Sequence, residues 1–433
     1  MQNFSTSKIH VDIVKVLTEK SIFEPTEIQA KSIPVLLEHK GDFIGRSATG
    51  TGKTYAFGTA LLSRIDSSKG TVQAVVLVPT RELCEQVGNE LSELAKYIPA
   101  LKIESIYGGV SLKAQIHDLS NGTHVVVATP GRLMDLVQRK VVRLDTLNFV
   151  IFDEADEMLL KGFRTDIDKI LDSSNRTYST WLFSATMPTE VKGIIQKYLN
   201  KDLVKVLTDE AKGTNKGIRH QYIVLPPEEK LNVLLHFLKS SSDKKGIVFC
   251  RTKSGVQKLY KQLSANKFSC GAIHGDLPQG LRNKVMEQFR AGHINFLLAT
   301  DVAARGVDVE DIGTVLQYHL PDTSDSYTHR SGRTSRAGKT GVNLTFVFPE
   351  EEEKLKAIAN ELKIKLEAIP IPSAKDQLVN KAILWGGKIA KEKPLGDKLD
   401  EASKQEFKDQ LIHLSKDEIL EKLMATYLRE IQD

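Results

Sequence analysis

The sequence predicts an α/β protein of two tandem domains, each a mostly parallel sheet with helices on both faces, followed by a helical extension. Three observations carry this. The chain has 433 residues of 41% apolar composition, more than a single hydrophobic core holds before a chain splits into domains. Short continuous β-branched runs alternate with helical stretches, the pattern of strands buried on both faces of a parallel sheet. The plan then repeats: Val78 and Phe249 end two such runs, Thr129 and Thr300 follow two others, and both pairs are 171 residues apart, which reads as a duplicated unit.

In chain order, runs at 75–78, 125–128, 149–152 and 182–183 lead into Pro-Thr-Arg, Thr-Pro-Gly-Arg, Asp-Glu-Ala-Asp and Ser-Ala-Thr. Ligands of such sheets sit at the carboxyl ends of the strands, so these polar clusters should line one rim. In the second half, 247–249 leads into Cys250-Arg251-Thr252 and 296–299 into Thr300-Asp301. Residues 209–217 are polar, with two glycines and no apolar period. They read as a linker between domains 1–208 and 218–370. Residues 371–433 form the extension. There Ser415-Lys-Asp-Glu418 makes a capping box, and Leu420, Leu423, Met424, Tyr427, Leu428 and Ile431 share one helix face. That face is expected to dock onto the second domain; the alternative is a protein partner or self-association through residues 415–431.

The net charge is +5, from 60 Lys and Arg against 55 Asp and Glu. A mild basic excess permits an anionic partner without demanding one. The extension holds 11 basic and 12 acidic residues, so the excess belongs to residues 1–370 and the tail is no basic nucleic-acid arm. Three separated cysteines without a CxxC argue against a disulfide framework and a zinc ribbon and fit a reducing compartment. The first ten residues lack a signal-peptide profile, and no stretch approaches the ~18 apolar residues that span a bilayer. The expectation is a cytoplasmic protein without membrane contact.

Ser47-Ala48-Thr49-Gly50-Thr51-Gly52-Lys53-Thr54 is the strongest local signal. A triphosphate needs converging backbone N–H donors, a cation for its outer phosphates and a hydroxyl on Mg²⁺. Gly50 and Gly52 let the backbone approach, Lys53 supplies charge and Thr54 a metal ligand; the strict pattern has Gly where Ser47 stands. After the run 149–152, Asp153 would hold Mg²⁺ and Glu154 would orient and deprotonate the attacking water. Arg330, Arg333 and Arg336 are three apart and can share one face if helical, as cations for the transition state.

Taken together, these residues resemble the DEAD-box family of ATP-dependent RNA helicases (superfamily 2), bacterial members included, over roughly residues 4–345. Asp153-Glu154-Ala155-Asp156 stands unaltered. The resemblance implies two RecA-like domains, ATP and Mg²⁺ as cofactors, and structured or duplex RNA held mostly through its backbone. It implies RNA-stimulated ATP hydrolysis coupled to local, non-processive strand separation or RNP remodelling by domain closure. For ATP it implies Phe23, Thr26 and Gln29 as an adenine-reading Q motif, with Phe4 upstream, Ala48 to Thr54 around the phosphates, and Asp308 on the ribose. For RNA it implies Thr80, Arg81, Gly109, Thr129, Pro130, Gly131 and Arg132, then Arg251, Arg282 and Thr300 in the second domain. Ser184, Ala185 and Thr186, with Asp156 and His329, would couple hydrolysis to unwinding. Lys53, Asp153, Glu154, Arg333 and Arg336 would be catalytic, and Arg305 would pair with acids of the first domain. The chain departs from the family at Ile22 and Ser335, where Gly is usual.

Overall fold

A computed structural model describes the chain except residues 1–3, 5–7, 49, 173–177, 209–216, 242–243, 267, 305–311, 336–339, 374–375, 377, 380–381, 383–384, 387–388, 390–399 and 431–433. Thr49, Arg305, Asp308, Arg336, Ile431 and nearly all of the expected linker therefore lie outside the described residues.

The first sheet is built from β1 (Phe43–Arg46), β2 (Ala74–Leu77), β3 (Ile103–Ile106), β4 (Val125–Ala128), β5 (Phe149–Phe152), β6 (Ser179–Ser184) and β7 (Val204–Leu207). The second holds β8 (Ile218–Val224), β9 (Lys245–Phe249), β10 (Cys270–Ile273), β11 (Phe296–Ala299), β12 (Ile312–Gln317), β13 (Gly341–Val347) and β14 (Leu366–Ala368). Every neighbouring pair runs parallel. The first sheet is ordered β3-β4-β2-β5-β6-β1-β7 and the second β10-β11-β9-β12-β13-β8-β14. These are the same order displaced by seven strands, so the chain is a duplicated α/β unit.

The spacing that suggested the duplication is off by one residue. Leu77 pairs with Ala128 and Phe249 with Ala299. Leu77, rather than Val78, is thus the counterpart of Phe249, 172 positions away, while Ala128 and Ala299 remain 171 apart. The connection between the paired strands is one residue shorter in the second lobe, a change that a surface loop tolerates at small entropic cost.

Period-two alternation distributes the core. In the first lobe Phe43, Val76, Val127, Ile151, Trp181 and Phe183 pack on one face, and Ile44, Val75, Val126, Val150 and Leu182 on the other. Both faces are covered by helices, so continuous apolar runs are what the strands need. The arrangement delivers every loop that follows β1, β2, β4, β5 and β6 to one rim.

In the extension the capping box forms: Ser415 N–H donates to the Glu418 carboxylate at 2.8 Å and Glu418 N–H to Ser415 Oγ at 3.3 Å. The helix it starts, Lys416–Glu430, buries none of its residues, and Leu420, Leu423 and Met424 are exposed. Among the described residues of this helix none is buried by the docking onto the second domain that was expected. Tyr427 stacks instead on Trp385 of the same extension, centroids 4.5 Å apart, while Leu420, Leu423 and Met424 stay uncovered. Among the described residues no helix is long and apolar enough to cross a membrane.

Candidate nucleotide and RNA site

The phosphate loop joins β1 to the helix Lys53–Leu62. Gly50 and Gly52 have φ of +76° and +83°, a left-handed conformation that costs glycine nothing. A Cβ on Gly52 would also stand 2.3 Å from the amide nitrogen of Gln29. That amide donates to Gly52 O at 3.1 Å, while its oxygen accepts from Thr26 N–H at 3.0 Å. Thr26 Oγ1 donates to Thr51 O at 2.8 Å. The Q motif is thus physically tied to the phosphate loop. Ser47 has a use as well, its hydroxyl lying 2.7 Å from that of Thr51. Lys53 donates to Ser47 O and Ala48 O, both at 2.9 Å. Burial lowers its pKa, while Asp153, Glu154 and Asp156 favour its charge.

Glu154 follows β5 with φ +52° and caps the helix Ala155–Leu160. A non-glycine residue in that region marks a site that the surroundings hold under strain. Asp153 is buried, and burial together with the Glu154 charge pushes its carboxyl up to about 7. Glu154 Oε2 is buried without a hydrogen-bond partner. Two crowded carboxylates, one of them unsatisfied, beside a helix that begins Lys53-Thr54 make a hard-oxygen donor set suited to Mg²⁺.

Three segments meet around Asp156, in the first turn of the helix Ala155–Leu160. Its carboxylate accepts from Thr186 N–H at 2.8 Å and Thr186 Oγ1 at 2.7 Å, and Ser184 Oγ donates to Thr186 O at 2.6 Å. From the second lobe, His329 brings Nε2 to 3.5 Å from Asp156 and Nδ1 against Glu157. Burial opposes a charged ring, but the two carboxylates outweigh it and raise the His329 pKa to about 10. The lobes are therefore joined by an imidazolium between two acids.

The helix Ser324–Ser331 ends before Arg333, so Arg330 and Arg333 do not share a helix face, contrary to the expectation. Arg330 is buried and forks onto Asp301 at 2.5 and 2.8 Å, with a third bond to His319 O at 2.7 Å. It is a clamp inside the second lobe. Arg333, past the helix end, bonds His329 O at 3.2 Å, and its charge reaches Lys53 across the cleft. Ser335 takes φ +60°, the conformation for which glycine is usual there.

On the remaining rim, Thr80 caps the helix Arg81–Leu94 by accepting from Leu83 N–H at 3.1 Å. Gly109 has φ +95°, and a Cβ there would meet Arg81 Nη1 at 2.1 Å. Thr129 precedes the helix Pro130–Gln138, in which Gly131 is exposed and Arg132 bonds Gln115 at 2.6 Å. Arg251 is exposed and bonds Leu320 O at 3.2 Å. Thr300 O accepts from Ala304 N–H at 2.9 Å.

Residues 26–194 match the DEAD/DEAH box helicase family and residues 229–338 the helicase conserved C-terminal domain. The chain is 40% identical over 371 residues to the DEAD-box ATP-dependent RNA helicase CshA of Bacillus licheniformis, covering 86% of this chain and 75% of that one. The chain is a member of the DEAD-box ATP-dependent RNA helicases. Among solved structures, S. cerevisiae Dbp5 bound to RNA and ADP BeF3 superposes with a TM-score of 0.79 at 27% identity, covering 89% of this chain and 100% of that one. The DEAD-box helicase Mss116 bound to ssRNA and UDP-BeF gives 0.75 at 25% identity, with 89% and 86% covered. The two lobes are accordingly tandem RecA-like domains of an ATP-hydrolysing enzyme.

In this DEAD-box helicase two expected site residues besides the arginine row are placed largely out of solvent. Phe4 is only 7% exposed and packs in the first lobe's core, whereas Phe23 is 59% exposed. Arg282 points at Ala303 O, 2.8 Å away, and at Glu82, 3.2 Å away, with its side chain 13% exposed. Sequence reading missed Glu157 and Glu82, both partners of the opposite lobe. It also missed Asp325, which is one helical turn before His329 and whose raised pKa follows from burial, opposed by His329 and aggravated by Asp156.

Proposed function

We propose that this DEAD-box helicase hydrolyses ATP when its lobes close on nucleotide and RNA together, and that closure separates short duplexes locally. The observation that carries the reading is the buried His329 bridge to Asp156 and Glu157. It joins the second lobe to the helix start whose Asp156 also binds Thr186 and whose cap is Glu154. The likeness to helicase chains bound to RNA and a nucleotide supports the same closed arrangement.

In this mechanism Phe23 stacks on the adenine and Gln29 reads its edge while keeping Gly52 in place. Gly50, Gly52 and Lys53 hold the phosphates. Thr54 and Asp153 would hold Mg²⁺, which when bound neutralises phosphate charge. Glu154 takes the proton of the attacking water. Arg333 and Arg336 place positive charge on the γ-phosphate from the second lobe, so hydrolysis requires closure, and Asp308 accepts from the ribose. Thr80, Arg81, Gly109, Thr129, Arg132, Arg251 and Thr300 hold RNA through phosphates and sugars, contacts without a sequence code. The closed state grips one strand in a shape that a duplex cannot adopt, and this differential affinity releases the other strand. The protein works in the cytoplasm, and the exposed face of Lys416–Glu430 serves a protein partner or self-association. Glu154→Gln tests the catalytic core of this reading. It should bind ATP and RNA yet lose RNA-stimulated hydrolysis by at least about a hundredfold; turnover near wild type would remove Glu154 as the base.

A further inference from the structure

Beneath the helix Ser324–Ser331 the second sheet buries a row of polar side chains. His220 of β8, Asn343 of β13 and Gln317 of β12 lie on the sheet face that this helix covers, and all three are buried. Tyr327 of the helix is fully buried and reaches into the row. Its hydroxyl accepts from Asn343 Nδ2 at 2.9 Å and lies 3.0 Å from His220 Nδ1. Asn343 Oδ1 accepts from Gln317 Nε2 at 3.0 Å, and Gln317 Oε1 lies 3.5 Å from Arg330 Nη1. The row thus ends on the arginine that forks onto Asp301.

That end sets the direction of every bond. A guanidinium can only donate, so Gln317 turns its oxygen to Arg330 and its amide hydrogens to Asn343. Asn343 then turns its amide hydrogens to Tyr327, whose own proton goes to His220 Nδ1. This nitrogen can accept, because burial pushes the His220 pKa down to about 4 and keeps the ring neutral. Donors and acceptors alternate along the whole row without a conflict. Bonds aligned in this way strengthen one another in a dry interior and leave one arrangement satisfied.

The fold itself does not require the row. In the first sheet Phe152 stands opposite Leu182 at the register where the second has Gln317 opposite Thr345. A sheet of this order therefore packs there with apolar side chains, and burying amides instead is a cost without a packing reason. What differs is the helix above. Tyr327 and Arg330 are three residues apart and share its inner face, while His329 points outward to Asp156 and Glu157. Two inward pins keep the helix from sliding or rotating, and so fix where His329 and the following Arg333 stand.

We infer that Tyr327 is a positioning residue: its hydroxyl, held through Asn343 and Gln317, sets the helix so that His329 and Arg333 meet the first lobe for hydrolysis. This deepens the closure reading above and rests on it.

Tyr327→Phe removes the hydroxyl and keeps the ring. RNA-stimulated kcat should fall about tenfold, the order expected when a buried donor is left unpaired. Affinity for ADP without RNA, held by the first lobe, should stay within about twofold. Each variant is assayed below its own unfolding transition, so that lost stability does not imitate lost turnover. Gln317→Leu cuts the same row at another place. If the row acts as one unit, the variant with both changes loses no more kcat than the slower single variant. A kcat within about twofold of wild type in Tyr327→Phe, or losses that multiply in the double variant, overturns the proposal. His329→Ala is run in parallel. If it lowers kcat while Tyr327→Phe does not, the positioning role falls and closure stands; if neither variant lowers kcat, closure itself falls and the positioning role with it.

Discussion

His329 Nδ1 of the second lobe rests against the carboxylate of Glu157 in the first while its Nε2 faces Asp156 at 3.5 Å, so one buried imidazolium holds two lobes by two acids. The acids surrounding it come from both sides: Asp156 and Glu157 from the first lobe and Asp325 from its own helix.

This bridge makes the closed protein sensitive to alkaline pH. The folded pKa of His329 is raised from 6.5 to about 10. Its stabilising contribution is thus complete below about 6.5 and is lost as pH rises through about 10. Thermal unfolding followed from pH 7 to pH 10 should show a falling midpoint that is flattened in His329→Gln. A fall of equal size in that variant would assign the effect to other groups.

Arg330→Ala should destabilise the second lobe by about 3 kcal/mol, because it leaves Asp301 without its forked partner and empties a buried position. Lysine cannot reproduce a fork, so Arg330→Lys should recover little. Chemical denaturation measures both; a loss below about 1 kcal/mol would show that the clamp behaves as a surface pair.

Gln29→Glu keeps the acceptor for Thr26 N–H and replaces the donor to Gly52 O by an oxygen. The loop is then repelled rather than tied. The KM for ATP should rise at least about tenfold, an order expected for loss of one buried hydrogen bond with its partner left unpaired. An unchanged KM in steady-state hydrolysis would separate the Q motif from the loop.

Gly109→Ala forces a Cβ into the place of Arg81 Nη1 at φ +95°. Arg81, a flexible side chain, must move, and the left-handed residue adds about 1 kcal/mol of strain. RNA affinity should fall severalfold with the salt slope of binding reduced by about one. An unaltered slope would show that Arg81 does not touch phosphate.

What the sequence made legible was what is local. The phosphate loop could be read because its chemistry is written in eight adjacent residues, and the strands because their apolar runs are continuous. The duplication could be suspected from spacing but rests on the common strand order of the two sheets, and the spacing itself misplaced Val78 by one residue. Partners across the cleft were illegible. Glu157 and His329, or Glu82 and Arg282, are far apart in the chain, and no periodicity reports which side chains will meet. Arg330 and Arg333 failed for a related reason: their spacing is helical, but Gly332 ends the helix between them. The burial of Phe4 in the first lobe's core was equally illegible, because burial depends on neighbours distant in the chain.

The measurement closest to the central claim is the distance between dyes placed on the two lobes, read by single-molecule fluorescence transfer with ADP·BeF3 and single-stranded RNA present together. The native chain should populate a closed state under those conditions only, and His329→Ala should shift that population toward open while each ligand still binds. A closed population that His329→Ala leaves unchanged would contradict the account.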